Sequence, residues 1–255
     1  MGRSLPDRLR AGDVRGAFLT VGHPTMADAM ARMGFDTLVV DLEHMAMTIE
    51  TAEAVVRAVE ATGESTATLL RVPEGTTAWV KRALDTGADG VLVPMVESAS
   101  QAAAIADDAR YPPDGRRGAG GSRATGFGAS FDDYVATANE STAVIVQIET
   151  AAGVDETESI AAVDGIDSLF VGPTDLASSL GGVGSDTTDE FDAAIEQIRA
   201  GGLAKDCPVG VYAASPSVAS ERLAAGFDYV VAGTDLSFVQ LGAEKYQAAL
   251  NDGYE

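Results

Sequence analysis

The polar residues that can carry chemistry stand directly after apolar runs in this sequence. The stretch DTLVVDLEHMAM, residues 36–47, ends a β-branched run with Asp41, Leu42, Glu43 and His44. The chain has two histidines, and an imidazole that titrates near neutral pH suits a general acid or base. A metal ligand and an ordinary polar loop residue are the two alternative interpretations of His44.

Two acids further along the chain point to a metal site. Glu149 follows the apolar run AVIVQI and Asp175 follows the next run, SLFVGP, so the two carboxylates come from successive elements. Carboxylates without thiolates suit a hard divalent cation that keeps waters for a substrate. Either acid alone is equally well explained as a helix cap, and ASSLGG after Asp175 fits that role. The pair together, with Gln147 beside it, favours the metal.

A basic residue also ends an apolar run. Arg71 follows ATLL, where a buried guanidinium needs an anionic partner. That partner is either a carboxylate or oxyanion of a substrate, or an acid of the chain such as Glu43. The lysines Lys81, Lys205 and Lys245 lie in or near predicted helices. Because no lysine ends an apolar run, we do not expect a mechanism that uses a Schiff-base lysine.

Eight short apolar runs must position these residues. The runs are continuous rather than alternating, which is typical of parallel strands covered on both faces. They lie at 17–22, 37–42, 67–72, 90–96, 143–149, 168–173, 208–214 and 229–233. Acids, an arginine and both histidines therefore stand at or just beyond the ends of predicted strands.

Amphipathic segments alternate with these runs. In 49–61, Ile49, Ala52, Val55 and Val59 recur at helical spacing, and similar segments lie at 77–86, 98–108, 152–163, 188–200, 216–225 and 236–250. Alternating strands and helices predict a parallel sheet with right-handed crossovers. Eight such units predict an eight-stranded (β/α)8 TIM barrel, one domain over residues 1–255, with its site at the carboxyl ends of the strands. An open doubly wound sheet is the alternative, although no G-x-G-x-x-G follows the first run.

The composition excludes several classes of partner. The 39 acidic and 17 basic residues give a net charge of −22, which argues against binding to nucleic acid or anionic membranes. The acids are spread along the chain, so we interpret them as a surface suited to high salt and predict a halophilic host. The N-terminus has no apolar signal segment and no apolar run approaches about 18 residues, which predicts a cytoplasmic protein. The single cysteine, Cys207, rules out an intramolecular disulfide.

Five stretches together resemble the metal-dependent (class II) pyruvate aldolases of the HpcH/HpaI type. They are DLEH at 41–44, RVPEGTTAWVKRALDTGADGVLVPMV at 71–96, RYPPDGRRG at 110–118, VQIET at 146–150 and VGPTDLASSLG at 171–181. The resemblance covers roughly residues 12–240. It implies a (β/α)8 barrel, commonly a hexamer whose C-terminal helices are exchanged between paired subunits. It also implies reversible cleavage of a 4-hydroxy-2-oxo acid to pyruvate and an aldehyde, with Mg²⁺ or Mn²⁺, or with Co²⁺.

The resemblance assigns catalytic and metal roles to particular residues. Glu149 and Asp175 match the metal-binding acids. Arg71 matches the arginine that contacts the 2-oxo acid and stabilises the enolate oxygen. His44 matches the catalytic histidine, and Asp85 matches the aspartate that pairs with this histidine.

Substrate-binding roles follow from the same resemblance. The backbone amides around Gly172, Thr174 and Asp175 would hold the substrate carboxylate at a helix N-terminus. Two further residues are assigned by their position after a predicted strand and not by the resemblance. Tyr212, at the end of the seventh run, is expected to face the pocket and to restrict the length of the substrate. His23, after the first run, either touches the aldehyde half of the substrate or caps the next turn.

The Gly- and Arg-rich segment 115–128 is too long for an ordinary connection, and such loops are usually functional or disordered. Arg116, Arg117 and Arg123 in this segment would bind a distal carboxylate or serve a subunit interface.

The sequence leaves two further interpretations of the whole chain open. One is an acyl-CoA lyase of the citramalyl or malyl type, and the other is a non-catalytic metal-binding barrel.

Overall fold

Eight parallel strands close into a barrel. The computed structural model describes residues 3–12, 14–182 and 188–252. Each strand pairs with the next along the chain, and the last returns to the first. The (β/α)8 prediction is therefore confirmed and the open sheet is wrong. The strands are β1 (Arg15–Leu19), β2 (Thr37–Asp41), β3 (Ala67–Arg71), β4 (Gly90–Val93), β5 (Ala143–Ile148), β6 (Ser168–Val171), β7 (Val209–Ala213) and β8 (Tyr229–Thr234).

Helices surround the strands and form the outer layer of the fold. The segment predicted at 152–163 is divided into two short helices at Glu156, whose backbone leaves the helical region. The helices are α1 (Leu5–Arg10), α2 (Pro24–Ala31), α3 (Ile49–Ala61), α4 (Thr77–Asp85), α5 (Ala99–Ala109), α6 (Phe131–Ser141), α7 (Ala151–Asp155), α8 (Thr157–Ala161), α9 (Pro173–Ser179), α10 (Asp189–Leu203), α11 (Pro216–Ala224) and α12 (Asp235–Asp252).

The apolar core has two parts, one inside the barrel and one between the strands and the helices. All residues of β2 and β5 are buried, which explains why their sequences are continuous apolar runs. Leu5 and Leu9 of α1 belong to the inner cluster, so this short helix covers the amino ends of the strands. The other end of the barrel stays open to a pocket.

Seven of the eight strands end earlier than the corresponding apolar runs, and β8 ends one residue later. β1 ends at Leu19 and β4 at Val93, so the last residues of these two runs lie in loops over the mouth of the barrel. Asp41 and Arg71 are the final residues of β2 and β3, and they are paired in the register of the sheet. These loops and strand ends provide most of the residues of the site.

The segment between β4 and β5 folds against the helices. Arg116 forms ion pairs with Asp107 and Asp108 of α5, and Arg123 bonds Glu60 of α3. Arg117 pairs with Asp85 at 3.1 Å. The three arginines of this loop are therefore bound to acids of the same chain. No helix within the described residues is long and apolar enough to cross a membrane.

Candidate active site

A pocket of about 380 Å³ opens at the carboxyl ends of the strands. This position agrees with the rule that barrel sites lie at that face. Six residues proposed from the sequence line the pocket, namely His44, Arg71, Gly172, Thr174, Asp175 and Tyr212. Glu149 lies directly beside it, because its Oε2 accepts a hydrogen bond from the lining residue Gln147. Seven of the eight predicted site residues therefore lie in or next to one pocket.

Arg71 is held by a buried acid. Its Nε donates to Asp41 Oδ1 at 3.0 Å and its Nη2 donates to Asp41 Oδ2 at 2.8 Å. Its Nη1 lies 3.2 Å from Glu43 Oε2, so the structural interpretation of Arg71 as an ion-pair partner is partly confirmed. The guanidinium has more N–H groups than these contacts use. Arg71 can therefore also bind an anionic group in the pocket.

Asp41 was not given a role by the sequence, although it stands in the motif that contains His44. It is 2 % exposed, and its Oδ1 also accepts the backbone N–H groups of Glu43 and His44 at 3.1 and 3.3 Å. These two bonds form a tight turn directly after β2. Asp41 thus fixes the loop that carries His44 as well as Arg71.

His44 lies at the mouth of the pocket. Its side chain is 53 % exposed, and its Nε2 lies 3.5 Å from Glu43 Oε2. Burial raises the pKa of Glu43, and the charges of Arg71 and His44 oppose that rise. An imidazole at the mouth of a pocket can exchange a proton with a bound substrate.

Glu149 is buried among other polar groups. It is 1 % exposed, and its Oε1 accepts the backbone N–H of Met95 at 2.8 Å. Burial raises the pKa of Glu149 to about 6, hydrogen bonds from Gln147 and Met95 lower it, and the charges of Glu43 and Asp175 raise it. The three acids are thus close enough to repel one another.

The donor set at this end of the pocket fits a divalent cation. Glu149 and Asp175 provide carboxylates, and the buried Oε1 of Gln147 has no hydrogen-bond partner among the described residues. A Cβ on Gly172 would overlap Glu149 Oε2 and Gln147 Nε2, so glycine keeps this space open. The structure describes no group of three or more acidic, histidine or cysteine side chains arranged to hold a metal. A cation would therefore need water or substrate oxygens to complete its coordination.

The first turn of α9 closes this side of the pocket. Gly172 is its N-cap, and Thr174 and Asp175 follow in the first turn. Backbone N–H groups in the first turn of a helix have no intrahelical acceptor. They are available to a substrate carboxylate, as the resemblance implies.

An aromatic floor lies beneath the polar groups. Tyr212 packs edge-on against Phe18 with ring centroids 5.6 Å apart, and Phe18 packs edge-on against Phe170 at 6.5 Å. The guanidinium of Arg71 lies 4.7 Å from the centre of the Phe18 ring. Burial raises the pKa of Tyr212, so its phenol stays neutral. The prediction that Tyr212 faces the pocket is confirmed.

Asp85 is not brought to His44. It ends α4 at the amino end of the barrel, whereas His44 follows the carboxyl end of β2. A strand of five residues spans about 16 Å, so the two side chains lie at opposite ends of the fold. Asp85 binds Arg117, and His44 lies next to Glu43. A pairing of His44 with Asp85 within one chain is therefore wrong.

His23 caps a helix. It is exposed, it is the N-cap of α2, and its Nδ1 accepts the backbone N–H of Thr25 at 3.1 Å. It does not line the pocket. Of its two sequence interpretations, the structure supports the cap.

Comparison with known proteins places this barrel in a family. The sequence model described as HpcH/HpaI aldolase/citrate lyase matches residues 15–243. The chain belongs to the HpcH/HpaI aldolase/citrate lyase family. A crystal structure of a family protein from Burkholderia cenocepacia J2315 is similar, with a TM-score of 0.93 and 37 % identity over 97 % of this chain and 98 % of that one.

Two similar relatives carry aldolase names. A 4-hydroxy-2-oxovalerate aldolase of Novosphingobium aromaticivorans is 42 % identical over 89 % of this chain and 86 % of its own length. A hydroxypyruvate/pyruvate aldolase of Paraburkholderia phytofirmans is 37 % identical over 92 % of each chain. The similarity extends over most of the chain in both cases, so it is not confined to a shared motif.

We expect Glu149→Gln to weaken divalent-cation binding strongly, because it removes one of two available carboxylates. Isothermal titration calorimetry would measure the affinity for Mn²⁺, and we expect this affinity to fall by about tenfold to hundredfold. Glu97→Gln is the matched control, because Glu97 is an exposed acid after β4 that does not line the pocket. Equal Mn²⁺ affinity in Glu149→Gln and the wild type would remove Glu149 from the metal site.

Proposed function

We propose that this protein is a divalent-metal-dependent aldolase that cleaves a 4-hydroxy-2-oxo acid to pyruvate and an aldehyde, and that also runs in reverse. The observation that carries the proposal is the meeting of His44, Arg71 and Asp175 in one pocket, with Glu149 beside it. The aldolase names of relatives that match over most of their length support the same reaction.

Arg71 acts on the 2-oxo acid half of the substrate. Its guanidinium lines the pocket and is oriented by two hydrogen bonds to Asp41. When the C3–C4 bond breaks, the electron pair moves toward the 2-oxo group and an enolate forms. A fixed guanidinium next to this oxygen stabilises the charge without having to reorganise. The first-turn N–H groups of α9 hold the carboxylate of the same substrate half.

His44 removes the proton of the 4-hydroxyl group. The departing half then leaves as an aldehyde, and the enolate takes a proton at C3 to become pyruvate. The imidazolium that forms is stabilised by Glu43, whose Oε2 lies 3.5 Å from Nε2. The aromatic floor of Phe18, Phe170 and Tyr212 limits water beneath the reacting carbons.

A cation bound by Glu149 and Asp175 would polarise the 2-oxo group and offset its developing charge, with Mg²⁺ or Mn²⁺ preferred and Co²⁺ a further candidate. The repulsion among Glu43, Glu149 and Asp175 supports such a cation at this end of the pocket. Carboxylate and amide oxygens are the ligands that these hard ions prefer.

The alternative functions are less well supported. An acyl-CoA lyase of the citramalyl or malyl type would fit the family name, but the similar relatives described above are named aldolases. A non-catalytic metal-binding barrel would not need His44 and Arg71 to line the same pocket as Asp175. We therefore favour the aldolase.

The proposed reaction is tested by pyruvate release from a panel of 4-hydroxy-2-oxo acids, followed with lactate dehydrogenase and NADH. We expect release that stops when EDTA removes divalent metal and returns when Mg²⁺ or Mn²⁺ is added. The coupling enzyme is checked separately with added pyruvate and EDTA. Cleavage that continues after complete metal removal would overturn the mechanism.

His44→Ala tests the base. Loss of a general base typically lowers the rate by about 10² to 10⁴-fold, so we expect kcat to fall within that range. His23→Ala is the matched control, since His23 is the other histidine and lies outside the pocket. It should keep kcat within about threefold and lose only about 1 kcal/mol of stability from its helix cap. Equal activity of the two variants would exclude His44 as the base.

We also propose a homo-oligomer, a hexamer with exchanged C-terminal helices, as the family resemblance implies. Its support is α12, in which five large apolar residues are at least half exposed in the single chain, namely Leu236, Val239, Leu241, Tyr246 and Leu250. An apolar surface of this extent usually contacts a partner. Light scattering should give a mass of several subunits, reduced in the variant Tyr246→Asp/Leu250→Asp but not in Met33→Asp, an exposed apolar residue elsewhere. A monomeric wild type would contradict the proposal.

The remaining sequence predictions concern the setting of the enzyme. We propose one aldolase domain over residues 1–255 that works in the cytoplasm of a halophilic cell on small molecules, without binding nucleic acid or membranes. The net charge of −22 supports this setting, because salt screens the repulsion among surface acids. In the pyruvate assay, activity should therefore be higher at molar KCl than in dilute buffer.

A further inference from the structure

The wall of the pocket opposite Glu149 carries two threonines that the proposed reaction does not use. In the closed order β1 to β8, the ends of β1 and β8 lie across the barrel from the end of β5, which precedes Glu149. Thr20 follows β1 and Thr234 ends β8, and both residues line the pocket. A substrate held by its 2-oxo acid half near Glu149 and Asp175 therefore extends its other half toward Thr20 and Thr234.

The hydroxyl proton of Thr20 is already bound. Asp235 is 1 % exposed and accepts the backbone N–H groups of Thr20, Val21 and Leu236 at 3.0, 2.8 and 2.9 Å. It also accepts the hydroxyl of Thr20. A carboxylate can only accept, so the proton lies between Thr20 Oγ1 and Asp235. The hydroxyl oxygen of Thr20, a residue of the pocket wall, can therefore accept a further hydrogen bond and cannot donate one.

Thr234 has the opposite arrangement. Its Oγ1 accepts the backbone N–H of Ser237 at 3.0 Å. Its hydroxyl proton has no acceptor within the described ranges 3–12, 14–182 and 188–252. Thr234 can therefore donate a hydrogen bond into the pocket. Because Asp235 follows Thr234 directly and binds Thr20, the acceptor and the donor are fixed to the same short stretch of backbone.

We propose that Thr20 and Thr234 bind a hydroxyl group on the aldehyde half of the substrate, so that the preferred aldehydes are hydroxyaldehydes. A hydroxyl is the group that donates one hydrogen bond and accepts another, which matches this acceptor and donor. An alkyl group of the same size would leave both threonines unpaired. This inference rests on the proposed aldolase function and names the substrate class of the same pocket.

The test uses two aldehydes that differ by one hydroxyl group, glycolaldehyde and acetaldehyde. Each is combined with pyruvate in the aldol direction, and the ratio of the two kcat/KM values is measured. We expect the wild type to prefer glycolaldehyde. In Thr20→Val, which removes the acceptor and keeps the side-chain shape, the ratio should fall by about tenfold, since a neutral hydrogen bond is lost. Thr20→Ser keeps the hydroxyl and should keep the ratio.

Thr234→Val tests the donor independently and should also lower the ratio. Circular dichroism and thermal unfolding would show that each variant is folded. A ratio that stays the same in both Thr20→Val and Thr234→Val overturns the inference, as does a wild type that prefers acetaldehyde.

A separate measurement distinguishes this failure from failure of the proposed function. An enzyme that forms pyruvate enolate exchanges the methyl protons of pyruvate in D₂O, and proton NMR follows this exchange without any aldehyde. Exchange by the wild type together with an unchanged ratio in the variants overturns only the hydroxyaldehyde inference. A wild type that neither exchanges these protons nor forms an aldol overturns the proposed function, and the inference falls with it.

Discussion

The mouth of this barrel depends on the ion pair between Asp41 and Arg71. The register of the sheet places the two residues side by side at the ends of β2 and β3, so both charges are buried against each other. Removing one partner of such a pair leaves an uncompensated charge and typically costs about 3–5 kcal/mol. Here it would also release the turn that Asp41 holds around Glu43 and His44. The anion binding proposed for Arg71 and the proton transfer proposed for His44 therefore rely on the same contact.

Acidic groups outnumber basic groups around this ion pair, and this excess of negative charge favours a bound cation. Glu43, Glu149 and Asp175 lie near one another, and within the described part of the chain Arg71 is the only arginine or lysine that lines the pocket. Burial and like charges raise the pKa of Glu43 and of Glu149. A divalent cation would relieve this repulsion. If Glu149 binds the cation as proposed, its raised pKa also limits the pH range in which the cation binds well.

Most of the barrel could be predicted from the sequence. Continuous apolar runs indicate strands that are buried on both faces, and amphipathic segments indicate helices that are buried on one face. The topology alone predicted that residues at the carboxyl ends of the strands lie at the same face of the barrel. The structure agrees, because His44, Arg71 and Asp175 line one pocket. Hydrogen-bond partners did not follow, since they depend on loop paths and side-chain rotamers. Asp41 looked like the end of an apolar run, and its bonds to Arg71 were not visible. Asp85 was assigned by the family resemblance. A resemblance can identify a residue in the sequence, but it does not show which chain that residue contacts.

One feature of the β4–α5 loop affects how the exposed surface of this loop can change over evolution. Met95 has a left-handed backbone, with φ of 57°, and its N–H donates to Glu149. Gln101 holds the loop through the carbonyl oxygen of Met95. The bond to Glu149 comes from the main chain, while the Met95 side chain is 48 % exposed. Asparagine and glycine tolerate this backbone. Residue 95 can therefore vary among such residues, altering this exposed surface while the acid keeps its hydrogen bond.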